Sequence, residues 1–224
     1  MFPMANIHLY KPNLVIVISG PSGSGKSTVI NALCKLDETL RLSISATTRK
    51  RRRSEKDGVD YHFLSKAEFE KHIQQGSFLE WAEYGGNLYG TLKSEIAAAR
   101  EAGKDSILEI EVKGSLQIQK QNLAPARSVL IFIIPPPLTV LAKRLRRRKT
   151  ESEAEQKQRL DIAKSEVQEI KNYDYWVSNP EKAIEEAVQQ IQTIIAAERS
   201  RVDDKLIETI NPLLGIDGTD YSKP

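Results

Sequence analysis

An α/β fold, with a parallel sheet covered by helices on both faces, is predicted by three observations. Unbroken apolar runs stand at residues 14–18 and 129–134, and a third at 107–112 is interrupted only by Glu109 and Glu111. Such runs, lacking polar alternation, suit strands buried on both faces. Segments with helical spacing lie between them, so strands and helices alternate along the chain. The third observation is local. The first run leads directly into Gly20-Pro21-Ser22-Gly23-Ser24-Gly25-Lys26-Ser27, and residues 28–36 then read as a helix.

That octet fits G-x-x-x-x-G-K-[ST] in the strand–loop–helix setting the motif needs. Its glycines let the backbone curl so that N–H groups point inward as an anion nest, and the helix N-terminus adds partial positive charge. Lys26 would reach the β- and γ-phosphates of a nucleotide, and the Ser27 hydroxyl would ligate Mg²⁺. The competing reading is a Gly/Ser-rich turn without a ligand. A chance match to the whole pattern is rare in a chain of this length, and the strand in front makes it rarer.

The other elements follow in order. Ser65 with Glu68 forms a capping box that starts a helix ending near Gly76. Residues 91–100 are Ala-rich and read as a helix stopped by Gly103. Pro135-Pro136-Pro137 ends the 129–134 strand, and a basic helix is expected from Leu138. Ser152 with Glu155 is a second capping box, opening a polar helix through Ile170. Asn179 before Pro180 reads as a helix cap and first helical position. Behind it Ile184, Ala187, Val188, Ile191 and Ile195 keep one apolar stripe. Residues 45–89, rich in turns and short alternating strands, and 138–168, basic and then acidic, read as inserts that move over the phosphates. In the tail, Leu206, Ile207, Ile210, Leu213 and Leu214 fit a short amphipathic helix or a frayed end.

The 224 residues suit one domain with inserts. A net charge of +3 points to no class of partner, but basic residues bunch at 49–53 and 144–149. Taken alone, Arg49-Lys50-Arg51-Arg52-Arg53 is a solvated or nucleic-acid-binding patch. The single cysteine, Cys34, excludes an internal disulfide and fits a reducing compartment. No apolar run approaches the roughly 18 residues of a membrane span, and the N-terminus has no signal-peptide pattern, so a soluble cytoplasmic protein with no membrane partner is expected. His8, His62 and His72 make no metal-ligand pattern.

Three further stretches carry a resemblance. Ser43-Ile44-Ser45-Ala46-Thr47-Thr48-Arg49, with Arg52, Gly58 and Asp60-Tyr61-His62-Phe63, resembles the first nucleoside-monophosphate segment of guanylate kinases. Phe78-Leu79-Glu80-Trp81-Ala82, then Gly86-Asn87-Leu88-Tyr89-Gly90-Thr91, resembles the second. Arg144-Leu145 with Arg148, followed by Arg159-Leu160, is similar to that family's lid. The likeness covers residues 13–197. It implies a P-loop kinase fold over 13–198: a core of 13–44, 92–137 and 171–198, a small GMP-binding insert at 45–91 and a mobile lid at 138–170. Residues 1–12 and 199–224 are left as extensions. The implied reaction moves the γ-phosphate of ATP to GMP, with Mg²⁺ accompanying ATP, and gives ADP and GDP for purine metabolism. The implied partners are these two nucleotides and no nucleic acid, in a monomer or homodimer.

The resemblance also assigns residues. GMP offers two donors on one edge, N1–H and the 2-amino group, and one carboxylate can accept from both. Glu80 is implied as that carboxylate, with Ser45 and Thr91 hydrogen-bonding the guanine. AMP would set a lone pair against it, and a buried unpaired polar group costs a few kcal/mol. Arg49, Arg52, Tyr61 and Tyr89 are implied as the clamp on the GMP phosphate, where arginine forks match the oxygens. Lys26, Arg144, Arg148 and Arg159 are implied as the catalytic cations, the arginines arriving as the lid closes. Residues 20–27 and Thr28 hold ATP, and Asn179 matches a position near adenine, beside its reading as a helix cap.

Glu109 and Glu111, read as two apart at the carboxyl end of a strand, face one side where ligands sit. The family usually has aspartates there, so the longer Glu109 is assigned to Mg²⁺, directly or through water, and Glu111 to the guanine amino group. Arg51, Ser54, Lys113 and Lys149 stand where the family more often has proline, glycine, glutamine and glycine. No general base is needed, because the acceptor is already a phosphate oxygen. Two rival readings are a non-catalytic interaction module of guanylate-kinase type and a P-loop kinase of another monophosphate. The complete loop and lid arginines favour an enzyme over the first, and Glu80 with Ser45 favours guanine over the second.

Overall fold

A computed structural model describes residues 13–121, 123, 126–137, 139–142, 153–179 and 183–213, excluding the side chains of 153–158, 205, 212 and 213. The chain runs β1 (Leu14–Ser19), α1 (Lys26–Leu36), β2 (Leu40–Leu42), β3 (Ala46–Thr47), β4 (His62–Phe63), α2 (Lys66–Gln74), β5 (Phe78–Tyr84), β6 (Asn87–Leu92) and α3 (Lys93–Glu101). It continues through β7 (Asp105–Glu109), α4 (Val112–Gln119), β8 (Arg127–Ile134), α5 (Glu153–Gln168), a 3₁₀ turn (Glu169–Asn172), β9 (Tyr175–Ser178), α6 (Ile184–Arg199) and α7 (Asp204–Leu213).

The main sheet has the order β2-β7-β1-β8-β9, with every neighbouring pair parallel. β1 is central, and its alternating side chains explain its unbroken apolar run. Leu14, Ile16 and Ile18 pack with Val29, Ile30 and Leu33 of α1 and with the α6 stripe at Ala187, Val188, Ile191 and Ile195. Val15 and Val17 point the other way, toward Leu108, Leu130 and Ile118 of α4. Both faces are thus covered, and each such side chain contributes about 1.5–3 kcal/mol on burial. The second sheet, β4-β3-β6-β5, falls within the stretch read as an insert. Phe69 of α2 stacks on Phe78 under it, with ring centroids 4.3 Å apart.

The capping box of α2 forms as expected: Ser65 Oγ accepts from the Glu68 N–H at 3.2 Å, and Glu68 Oε2 accepts from the Ser65 N–H at 2.7 Å. Three boundaries differ from the sequence reading. The third strand ends at Glu109, and Glu111 is the N-cap of α4 rather than a strand residue. Val112, Ser115 and Ile118 are buried on α4 at three-residue spacing, so helical burial claims the end of an apolar run that alone is ambiguous. Thr91 belongs to β6, because its backbone pairs with Glu80 across the β5–β6 ladder, and α3 begins at Lys93. The last core helix begins at Ile184 with Ala183 as its cap, so Asn179 caps nothing there. Its amide is drawn instead to the phosphate loop.

The basic helix expected from Leu138 and the Ser152 capping box lie largely outside the described residues. Leu141, just before that gap, packs on Leu160 and Ala163 of α5. In the tail, the helical alternative holds for residues 204–213.

Asp105, 7% exposed, fastens the amino edge of the sheet to the end of α6. Its Oδ1 accepts from the Leu14 N–H at 2.8 Å and its Oδ2 from Arg199 Nε at 2.8 Å. Asp105→Ala removes both partners at once. Unfolding free energy should fall by about 3 kcal/mol, read as a lower urea midpoint with an unchanged slope. A loss below about 1 kcal/mol would remove this link from the fold's main supports.

Candidate active site

β1 delivers the chain into the loop, and α1 takes over at Lys26. Gly25 holds φ +92, and a Cβ there would run into the Asn179 amide, so glycine alone permits the approach. Asn179, 6% exposed, donates from Nδ2 to the Ser24 carbonyl at 2.8 Å and braces the loop from β9. Lys26 is 7% exposed, and its Nζ donates to the Gly20 carbonyl at 2.5 Å and the Pro21 carbonyl at 3.3 Å. A buried ammonium satisfied by its own loop is held ready, since phosphate oxygens are stronger acceptors than those carbonyls.

Ser27 Oγ donates to Glu109 Oε1 at 2.6 Å, across from the end of β7. Among the described residues no group of three or more His, Cys, Asp or Glu side chains is placed to hold a metal ion. A hydroxyl beside one carboxylate fits Mg²⁺, a hard cation that keeps several waters and takes phosphate oxygens as ligands. It does not fit Zn²⁺, which wants three or four protein ligands.

Glu80 on β5 is 4% exposed, and Thr91, directly across on β6, donates from Oγ1 to Glu80 Oε1 at 2.7 Å. Thr91 is fully buried beside the carboxylate, and its hydroxyl orients Glu80. On the other side Gly114 of α4 comes so close that a Cβ would land on Glu80 Oε2. Burial pushes the Glu80 carboxyl up to about 7, against the hydrogen bonds from Thr91. An ionised carboxylate offers about four acceptor positions, and Thr91 uses one. Two further polar atoms, Ser43 Oγ and Glu111 Oε2, are buried at the cleft without a hydrogen-bond partner. Such orphans are rare unless a ligand or water completes them.

The clamp residues form a second group. Arg49 reaches Glu55 through two bonds, at 3.1 and 2.7 Å, and its guanidinium lies 5.3 Å from the centre of the Tyr61 ring. Glu55 also accepts from the Arg52 N–H at 2.7 Å. These contacts hold Arg49 above its usual pKa and Glu55 below its own, the Arg49–Glu55 hydrogen bond being the main cause of both. Tyr61 and Tyr89 meet edge to face, with centroids 6.2 Å apart.

One cleft of about 540 Å³ collects Ser22, Gly23, Gly25, Lys26, Ser27, Thr28, Ser45, Arg49, Arg52, Tyr61, Glu80, Tyr89, Glu109, Glu111 and Arg159. That volume suits a small-molecule site. Gly20, Pro21, Ser24 and Asn179 stand behind its walls and Thr91 beside Glu80, while Arg144, Arg148 and Lys149 lie outside the described residues. The model of the guanylate kinase family matches residues 12–198. The chain belongs to the guanylate kinase family.

Individual relatives agree. A guanylate kinase of Clostridioides difficile (strain 630) is 44% identical over 192 residues, covering 86% of this chain and 91% of that protein. One from Mycoplasma genitalium is 46% identical over 185 residues, covering 82% and 75%. The crystal structure of guanylate kinase from Anaplasma phagocytophilum matches with a TM-score of 0.69 at 31% identity, covering 87% of this chain and 90% of that one.

Within this guanylate kinase cleft the sequence reading missed several residues. Glu55, which holds both clamp arginines, is marked only by its spacing from Arg49 and Arg52. Glu95 of α3 supports the Ser45 segment, accepting from the Ile44 N–H at 3.2 Å and meeting His62 Nε2 at 3.0 Å. Tyr84 lines the cleft from β5, on the same cavity as Ser22 of the phosphate loop. Ser43 sat within a quoted motif and Tyr84 between two of them, but no periodic signal separates either from its neighbours.

Proposed function

We infer that this cleft binds GMP against β5, β6 and the Arg49–Arg52 clamp, binds ATP on the loop 20–28, and transfers the γ-phosphate of ATP to GMP, giving ADP and GDP. The observation that carries this reading is Glu80: a buried carboxylate, oriented by Thr91 and hemmed by Gly114, on the same cleft as the Lys26 ammonium. It accepts from guanine N1–H and the 2-amino group, while the unpartnered Glu111 Oε2 takes the second amino hydrogen and Ser45 or Ser43 takes a remaining base atom. Arg49, Arg52, Tyr61 and Tyr89 hold the GMP phosphate. Arg49 does so by exchanging a guanidinium bond to Glu55 for one to phosphate, with the ring of Tyr61 keeping its plane.

On the donor side, Lys26 leaves the carbonyls of Gly20 and Pro21 for the β- and γ-phosphates, and Asn179 keeps the loop in shape meanwhile. Ser27 and Glu109 hold Mg²⁺, which neutralises phosphate charge when bound. Arg159 from α5, joined by Arg144 and Arg148 as the lid 138–170 closes, covers the transferring group and excludes water. A phosphate oxygen of GMP attacks in line, so alignment and charge neutralisation account for the rate. No helix among the described residues is long and apolar enough to cross a membrane. The lone Cys34 fits the reducing cytoplasm, where a monomer or homodimer would act.

Protonated Glu80 turns an O–H toward the guanine donors. With its carboxyl at about 7, kcat/KM for GMP should fall about tenfold per unit as pH drops below 7. The part of this slope lost in Glu80→Gln belongs to Glu80, since titration of the substrate phosphate is common to both proteins. The reading as a whole is tested by GMP-dependent ADP formation, with AMP, CMP and UMP as controls. GMP should exceed each by roughly 10³-fold or more in kcat/KM. Equal turnover of AMP would refute guanine recognition.

A further inference from the structure

Glu80 stands at an irregular point of an edge strand. β5 is the last strand of the second sheet, so its outer backbone groups have no strand to pair with among the described residues. Phe78 pairs with Leu92 and Glu80 with Thr91, which makes Leu79 the extra residue of a bulge immediately before Glu80. A bulge re-aims the side chain beside it but disrupts the ladder that would keep it aimed.

Two glutamine amides take the place of the missing strand. Gln117 of α4 accepts from the Trp81 N–H at 3.2 Å and donates to the Trp81 carbonyl at 2.6 Å. Those are the two bonds that a residue on a neighbouring antiparallel strand would exchange with it. Gln121, just past the end of α4, donates from Nε2 to the Leu79 carbonyl at 2.7 Å. The residues on both sides of Glu80 are thus bound by one element. Gly114, one turn before Gln117, lets the same helix approach until a Cβ would strike Glu80 Oε2. Leu79 adds an apolar tie, buried in the core cluster with Val17, Leu108 and Ile118. The Thr91 hydroxyl therefore fixes the carboxylate from β6, and α4 fixes the backbone that carries it. Trp81 is itself exposed, so water can take over its two bonds if the amide is removed. The loss then falls on the aim of Glu80 more than on folding.

We propose that Gln117, supported by Gln121, is a positioning residue for base selection. Its amide stands in for a strand on the outer edge of β5 and holds Glu80 to the geometry that separates guanine from bases lacking its 2-amino group. It touches no nucleotide. The proposal rests on the reading of Glu80 as the guanine acceptor. A single hydrogen bond, as inosine monophosphate would make to Glu80, can follow a tilted carboxylate, whereas two parallel bonds cannot both do so. The phosphate clamp and the loop 20–28 stand on other segments. A loosened Glu80 therefore loses selectivity before it loses turnover.

The test is the preference for GMP over inosine monophosphate, read as the ratio of calorimetric dissociation constants. It is measured in the wild type, Gln117→Met, Glu80→Gln and the double variant. Gln117→Met keeps the length of the side chain and makes neither bond. It should shrink the ratio about three- to fivefold, with KM for GMP raised by a similar factor and kcat within about twofold of the wild type. In the Glu80→Gln background the same change should leave the ratio as it is, because Gln117 acts through the carboxylate. Gln117→Asn, whose stem is too short for both bonds, should behave like Gln117→Met and replaces it if that variant does not fold. A full preference for GMP in either folded variant, or an undiminished loss in the Glu80→Gln background, overturns the proposal. Binding needs no turnover, so this role and the reaction are separable. A wild type that prefers GMP without phosphorylating it, with the preference reduced in Gln117→Met, would keep the role and refute the kinase reading. A wild type that binds both nucleotides alike would refute guanine reading by Glu80, and this role with it.

Discussion

Lys26→Met should lower kcat by about 10³-fold or more while leaving the dissociation constant of GMP within about a factor of three. Methionine keeps the unbranched stem that occupies a 7%-exposed position in the loop, so the loss reports charge and not shape. The ammonium is satisfied at rest by the Gly20 and Pro21 carbonyls, which spares it a desolvation penalty and costs little to exchange for phosphate. Its strongest interaction therefore develops as charge moves between the phosphates, and that is where a rate effect originates. In the proposed reading GMP lies against β5 and β6 and the Arg49–Arg52 clamp, none of which Lys26 supports. Steady-state kinetics together with calorimetric GMP titration check the two halves. A near-normal kcat would remove Lys26 from catalysis, and a lost GMP affinity would show that the loop also shapes the acceptor site.

Glu80→Gln should move activity and stability in opposite directions. It swaps one acceptor oxygen for a donor amide, so one charge-assisted bond to guanine is lost and an N–H faces an N–H. That costs on the order of 2–4 kcal/mol, or roughly 30- to 1000-fold in kcat/KM for GMP, with ATP affinity unchanged. The folded protein keeps the Glu80 proton up to about pH 7, whereas the unfolded chain releases it near its ordinary value of 4.5. The native state thus binds more protons across that window, and the residue's contribution to stability declines as pH rises through it. Above pH 7 the wild type carries a buried carboxylate that the variant lacks, and Glu80→Gln should be more stable there, on the order of 2 kcal/mol. A variant that lost both activity and stability would mark Glu80 as a structural residue.

Much of this was legible in the sequence because it is written in short-range patterns. The phosphate loop has fixed spacing after an apolar run, the box at Ser65 and Glu68 spans three residues, and the α6 stripe repeats with the helix. β2 and β9 went unread because three or four residues carry no period. The other misses turn on partners remote in the chain. Asn179 looked like a helix cap beside a proline, but its partner is Ser24, 155 residues away. Thr91 was expected at the base, and only the β5–β6 pairing reveals its bond to Glu80. Glu111 was placed on a strand, and burial along α4 turned it into a helix cap. In each case the residue type was informative, and the three-dimensional neighbour decided its use.

Guanine recognition by Glu80 is isolated by comparing GMP with inosine monophosphate, which keeps N1–H and lacks the 2-amino group. The quantity is the ratio of kcat/KM for the two substrates, measured in the wild type and in Glu80→Gln. One hydrogen bond to an ionised carboxylate corresponds to a preference for GMP of roughly 10- to 100-fold in the wild type. In Glu80→Gln that ratio should shrink severalfold, the remainder belonging to Glu111. The same ratio in both proteins would contradict the assignment of Glu80 as the residue that reads guanine.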